Sequence, residues 1–127
     1  MMKLVVTGSR DWGDWYLVWN ALDVFTAMAK KVTLVHGNCP TGADKQADLW
    51  SEKASWPTRP VKVLRYPAQW ELHGKAAGPI RNQQMVDENL DADYVLAFPL
   101  GESRGTRGCM EYARKEGLTV VNLGEKL

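Results

Sequence analysis

Four polar, glycine-rich stretches carry most of the residues able to do chemistry in this 127-residue chain: TGSRDWGD from Thr7, HGNCPTGAD from His36, HGKAAGPIRN from His73 and GESRGT from Gly101. Arginines stand at 10, 81 and 104, each in or beside a glycine turn. A guanidinium next to freely approachable backbone N–H groups suits a phosphate, because its fork of donors matches the phosphate oxygens. Pro79 fits the first position of a helix, which puts Arg81 and Asn82 in the first turn. An arginine there opposes the helix dipole unless an anion offsets it, so Arg81 points to a bound anion.

The candidate ligand-binding residues follow from these stretches. The first supplies Gly8, Ser9 and Arg10, and the second Gly37, Gly42 and Asp44. His73, Gly74, Lys75, Gly78, Arg81 and Asn82 come from the third, and Ser103, Arg104, Gly105 and Thr106 from the mouth of a helix in the fourth. Arg81, Asp44 and Asp11 are the candidates for catalytic work, since a carboxylate can act as general base or hold sugar hydroxyls. Asp14 is a further acid in the same region, and Cys39 is either an activated thiolate or a passive small residue. Trp12 and Trp70 fall in the same loops and can stack on a base, though for Trp70 packing comes before stacking, whereas Trp19 and Trp50 sit in helical segments and read as core or interface. Two histidines and two cysteines, scattered singly, lack metal-ligand spacing, so neither a metal nor another cofactor is expected.

These loops need a frame that brings them to one edge. Short β-branched runs at 3–8, 32–37, 61–67, 93–99 and 118–124 each end in turn chemistry. Between them lie segments with helical spacing at 16–30, 43–54, 79–89 and 106–116. In the first, Leu17, Ala21, Leu22, Phe25 and Met28 share a stripe. Apolar strands alternating with helices predict an α/β, Rossmann-like, doubly wound parallel sheet of about five strands with helices on both faces. In such sheets ligands bind outside the carboxyl ends of the strands, where all four polar stretches fall.

Length and charge bound the rest. The chain is the usual size of one domain, and SWPTRP at 55–60 is too short a linker to divide it. Sixteen Lys and Arg against fifteen Asp and Glu give a formal charge of +1, which argues against a dedicated nucleic-acid or membrane-surface binder. With no signal segment and no run long enough to span a bilayer, a cytoplasmic protein with free thiols is expected.

The stretches VTGSRDWGD, LVHGNCPTGAD, AQWELHGKAAGPIRNQQMV and AFPLGESRGTRGC together resemble the SLOG superfamily of Rossmann-like proteins, in particular its YspA-related, cpYpsA-type branch. The resemblance covers nearly the whole chain, and HGKAAGPIRNxxM followed by SRGT is its specific part. It implies a small nucleotide-derived ligand, sensed or processed, and self-association as a dimer. The superfamily also holds the LOG phosphoribohydrolases, which cleave the base from nucleoside 5′-monophosphates, and the DNA-uptake protein Smf. Arg81 with Met85 is similar to the arginine and methionine of the LOG enzymes, and Gly105-Thr106 to the GT of their PGGxGTxxE loop. The glutamate of that loop is replaced by Cys109, and Glu111 is displaced by about half a helical turn. The expected function is therefore a sensor or sequestering module for a phosphorylated nucleoside-like ligand. A LOG-like hydrolase and a Smf-like DNA binder are the alternatives, the latter disfavoured by the near-zero charge.

Overall fold

The computed structural model describes residues 1–54 and 59–126, so most of the short SWPTRP linker lies outside it. Five parallel strands form one sheet: β1 (Met2–Gly8), β2 (Val32–His36), β3 (Val61–Arg65), β4 (Tyr94–Phe98) and β5 (Val120–Asn122), in the spatial order β3-β2-β1-β4-β5. The expected α/β architecture is what the chain forms. The chain runs outward from β1 to β3, then returns across β1 to β4, so the order reverses between β1 and β4. Register is set by pairs such as Val5 with Val35 on one side and Val5 with Val95 on the other. The central strands are buried almost throughout, as strands covered on both faces must be. The flanking strands differ: β3 exposes Lys62 and Arg65, and β5 has only three half-buried residues.

Two apolar layers cover the sheet. On one face, Val18 and Leu22 of α1 (Trp15–Thr26) and Ala47 and Trp50 of α2 (Gly42–Ala54) pack on Leu4, Val6, Leu34 and Phe98. On the other, Met85 and Val86 of α4 (Ala77–Asp87) and Cys109 and Ala113 of α5 (Arg104–Lys115) pack on Val5, Val35 and Val95. Trp50 is buried with its indole N–H on Asp23, and Trp19 donates to the Gln46 carbonyl, so both tie α1 to α2.

Several boundaries differ from the sequence reading. Helix α1 stops at Thr26, where the Ala29 N–H closes a tighter turn on the Thr26 carbonyl, and Arg59 Nη1 donates to the carbonyls of Thr26 and Ala29 at this end. Met28, expected on the buried stripe, lies past this end and is 96% exposed. The segment after β3 is not an open loop. It contains α3 (Trp70–His73) and a single 3-10 turn (Gly74–Ala76) before α4. Helix α4 starts two residues earlier than expected, at Ala77, so Pro79 is its third residue rather than its first. That position is still free of an intrahelical N–H bond, so the ring is tolerated there.

Candidate functional site

Where the strand order reverses, a cleft of about 350 Å³ opens between the C-terminal end of β1 and the segment from Ser103 to Thr106 that follows β4. Val6, Thr7 and Gly8 of β1 form its floor together with Gly37 and Asp44, and the first turns of α4 and α5 form one side. Of the residues singled out from sequence, Gly8, Ser9, Arg10, Asp11, Gly37, Asp44, Gly78, Arg81, Asn82, Ser103, Arg104, Gly105 and Thr106 line it. Gly42, His73, Gly74 and Lys75 do not. His73 lies exposed at the end of α3, and Gly74 and Lys75 lie exposed on the 3-10 turn before α4, where continued helical winding carries them away from the sheet edge. Gly42 supports the cleft from behind.

The wall formed after β1 and β2 is interlocked. Gly42 has φ +73° and packs so closely that a Cβ would collide with the Ser9 carbonyl oxygen and stand 2.8 Å from Arg10 Cα. Thr41 Oγ1 donates to the Arg10 carbonyl at 3.0 Å, and Ala43 N–H reaches the Ser9 carbonyl. A Cβ at Gly8 would sit 2.5 Å from Ala43 Cβ, so only glycine lets α2 start this close to β1. Beneath the second loop, His36 Nδ1 accepts the Asn38 N–H at 3.0 Å, which places the ring proton on Nε2, 2.7 Å from Asp48 Oδ1. Asp48 also accepts from Arg65 Nε at 2.8 Å. Burial alone would raise Asp48, but the hydrogen bonds from Arg65 and His36 outweigh it and hold the carboxyl below the usual aspartate range. This chain of contacts fixes Asn38 at φ 57° and with it the course of the loop.

Asp44, one helical turn before Asp48, is in a different situation. It is 5% exposed and lines the floor. Its Oδ2 accepts the Cys39 N–H at 3.4 Å, while Oδ1 has no hydrogen-bond partner among the described residues. Burial pushes its carboxyl up, against the opposing pull of His36 and Arg81. Cys39 is raised too, by burial and then by Asp44, so it is no activated thiolate.

Arg81 crosses the floor from α4. Its Nη1 donates to the Gly37 and Tyr66 carbonyls and its Nε to Asn82 Oδ1 at 2.7 Å, leaving Nη2 unengaged among the described residues. Half of this guanidinium therefore holds the protein together, a role its sequence position does not reveal. Gly37 is required beneath it, since a Cβ there would lie 2.6 Å from Arg81 Nη1 and 3.0 Å from Asp44 Oδ2.

The α5 wall is open. Ser103, with φ 39° and no side-chain cap, turns the chain into α5, whose first turn carries no acid. Helical geometry leaves the N–H groups of Arg104, Gly105 and Thr106 without intrahelical acceptors. The Arg104 side chain is 92% exposed, 3.7 Å from Glu102. Outside the cleft, Arg107 holds this loop through the Gly101 and Glu125 carbonyls, a contact the sequence reading missed. At the rim, the Arg10 guanidinium lies 5.1 Å from the half-exposed Trp70 ring. Trp12, by contrast, packs on Phe98 at 5.6 Å and does not line the cleft. Asp14 caps α1 by accepting the Leu17 N–H, which accounts for it without a ligand.

Cys109, in place of the LOG glutamate, is buried against Thr7, and burial pushes its thiol up to about 11. Glu111 is exposed and does not line the cleft. Among the described residues no group of three or more His, Cys, Asp or Glu stands ready to hold a metal ion, and no helix is long and apolar enough to cross a membrane.

The model of the YAcAr family, described as the YspA, cpYpsA-related SLOG family, matches residues 2–73, from β1 through α3. The chain is also 43% identical over 127 residues to the Gene 61 protein of Mycobacterium phage D29, a match that covers 99% of each.

Proposed function

The chain belongs to the YspA, cpYpsA-related SLOG family, and from that premise we propose that its cleft binds a phosphorylated, nucleoside-like ligand as a sensing or sequestering module. The reading rests chiefly on the first turns of α4 and α5 opening into one cleft at the point of strand reversal, with the guanidinium groups of Arg10, Arg81 and Arg104 along it. Free N–H groups at a helix start and spare guanidinium donors favour an anion. The phosphate goes to the mouth of α5, the side of the cleft away from the Asp44 carboxyl, which would repel it. Trp70, with Arg10 above it, gives a base a face to stack on at the rim.

Binding without turnover is the better reading because the hydrolytic carboxylate of the LOG loop is absent. Cys109 stands there as a neutral thiol, and a thiol at that pKa cannot serve as a base near pH 7. Calorimetric titration with the four ribonucleoside 5′-monophosphates is expected to give saturable one-to-one binding by at least one of them. Arg81→Ala is expected to weaken it at least tenfold, as loss of a charge-assisted contact does. Incubation with adenosine 5′-monophosphate should release no adenine. Absence of binding by all four overturns the proposal, and clear base release replaces the module with a hydrolase.

A further inference from the structure

The open wall of the cleft, from Ser103 to Thr106, draws little support from its own side chains. Ser103 lacks a side-chain cap, Arg104 is exposed, and a Cβ at Gly105 would meet nothing within 4 Å. The chain enters this wall through two left-handed residues, Gly101 at φ 63° and Ser103 at φ 39°. A non-glycine residue at positive φ persists where its surroundings over-determine it. On the cleft side, Asn82 Nδ2 reaches the Gly105 carbonyl at a long 3.4 Å.

The firmer grip comes from Arg107 and Glu125, which do not line the cleft. Arg107, three residues after Arg104 in α5, turns its guanidinium back along the entering loop. Its Nε donates to the Gly101 and Glu102 carbonyls, each at 3.1 Å, and its Nη2 to the Gly101 carbonyl at 2.7 Å and the Glu125 carbonyl at 3.0 Å. Glu125, just beyond β5, closes the ring. Its Oε2 accepts the Gly101 N–H at 2.8 Å, and its own N–H donates to the Pro99 carbonyl at 2.7 Å. Gly101 is therefore held at both its N–H and its carbonyl. Gly124 lets the two segments lie this close, since a Cβ there would collide with the Pro99 backbone. A planar fork of donors can bridge two segments in this way, whereas a lysine offers a single point of attachment.

Resting on the phosphorylated-nucleoside reading above, we propose that Arg107 and Glu125 are positioning residues for the phosphate end of the cleft. They clamp the loop that sets the α5 mouth without touching the ligand. A mouth ordered before the anion arrives loses less freedom on binding, so the clamp is expressed as affinity. The sign of the Glu125 charge separates this role from simple electrostatics. An anionic side chain opposes phosphate binding, so its removal would strengthen binding if charge alone acted. Through the clamp, its removal weakens binding.

The test titrates the four ribonucleoside 5′-monophosphates and inorganic phosphate into the wild-type chain, Arg107→Ala, Arg107→Lys, Glu125→Ala and Glu125→Gln, with urea unfolding to confirm that each variant is folded. Arg107→Ala is expected to weaken nucleotide and phosphate binding about fivefold or more, and Glu125→Ala about threefold, the scale of one or two lost hydrogen bonds. Arg107→Lys keeps the charge and is expected to recover less than half of the loss. Glu125→Gln still offers an oxygen to the Gly101 N–H and is expected to bind as the wild type does. Should Arg107→Ala fail to fold, the Glu125 pair, whose side chain is exposed, decides the matter. Unchanged or tighter binding by Glu125→Ala overturns the clamp while leaving the nucleotide reading intact, as does wild-type affinity in Arg107→Lys. Failure of every nucleotide and of phosphate to bind the wild type overturns both.

Discussion

On the β2 side of the cleft, Asn38, Thr41 and Gly42 are each pinned by Ser9 or Arg10 in the loop after β1 or by the His36 ring beneath them. On the α5 side, Ser103 lacks a cap, Arg104 is exposed, and Gly105 has open space where a Cβ would point. The contrast separates two uses of the same residue types. Glycine in the first wall allows backbones to touch, whereas in the second it leaves a helix mouth uncovered. The two aspartates of α2 divide likewise: Asp48 is satisfied by His36 and Arg65 and builds the wall, while Asp44 lines the cleft with one buried oxygen unpartnered among the described residues.

The largest expected effect breaks the interlocked wall. Gly42→Ala forces a Cβ onto the Ser9 carbonyl at a positive φ, and both strain and overpacking apply. A loss of about 3 kcal/mol is expected in urea unfolding. A loss below about 1 kcal/mol would mean that the loops after β1 and β2 are not locked together.

A smaller effect separates the two carboxylates by pH. Asp48 is held below its unfolded value near 3.9, so it stabilises the fold above that value and the benefit fades as pH falls through the lower folded pKa. Asp44 is raised, so the folded chain keeps its proton longer than the unfolded one, and stability declines as pH rises from about 4 through the folded pKa. His36, Arg81 and Cys39 face Asp44 and are the charged or titratable groups that tune it. Thermal melts from pH 3 to 8 should show Asp44→Asn gaining on the wild type as pH rises. The deficit of Asp48→Asn should shrink as pH falls. Parallel curves for the two variants would erase the distinction.

The smallest effect belongs to the open wall. A Cβ at Gly105 meets nothing within 4 Å. Gly105→Ala is therefore expected to leave stability unchanged or raise it by up to about 1 kcal/mol, through helix propensity alone. Destabilisation in the same urea assay would show that the α5 mouth is packed more tightly than its glycine implies.

The sheet was legible in the sequence because strands buried on both faces must be apolar throughout, as Val5, Val6, Val35 and Leu96 are. The loops of the cleft were legible for a related reason: glycine, arginine and proline cluster where strands feed helices. The HGKAAG turn misled because alanine and lysine wind on into helix, which turns His73 and Lys75 outward. Asp44 and Asp48 could not be told apart in advance, since the partners of Asp48 come from β2 and β3 and depend on register. Arg81 was read as wholly available for an anion. Its contacts with the Gly37 and Tyr66 carbonyls depend on how closely the second and third crossovers approach.

The two outer strands carry a consequence for how the molecule behaves in a crowded solution. An exposed strand edge is a template on which another chain can add, seeding aggregates. Here one edge strand displays Lys62 and Arg65, and the other is only three residues long, from Val120 to Asn122. Charge on one side and brevity on the other give an incoming strand little to pair with. The sheet is thereby discouraged from growing past its fifth strand, and the most β-prone segments stay locked in its middle.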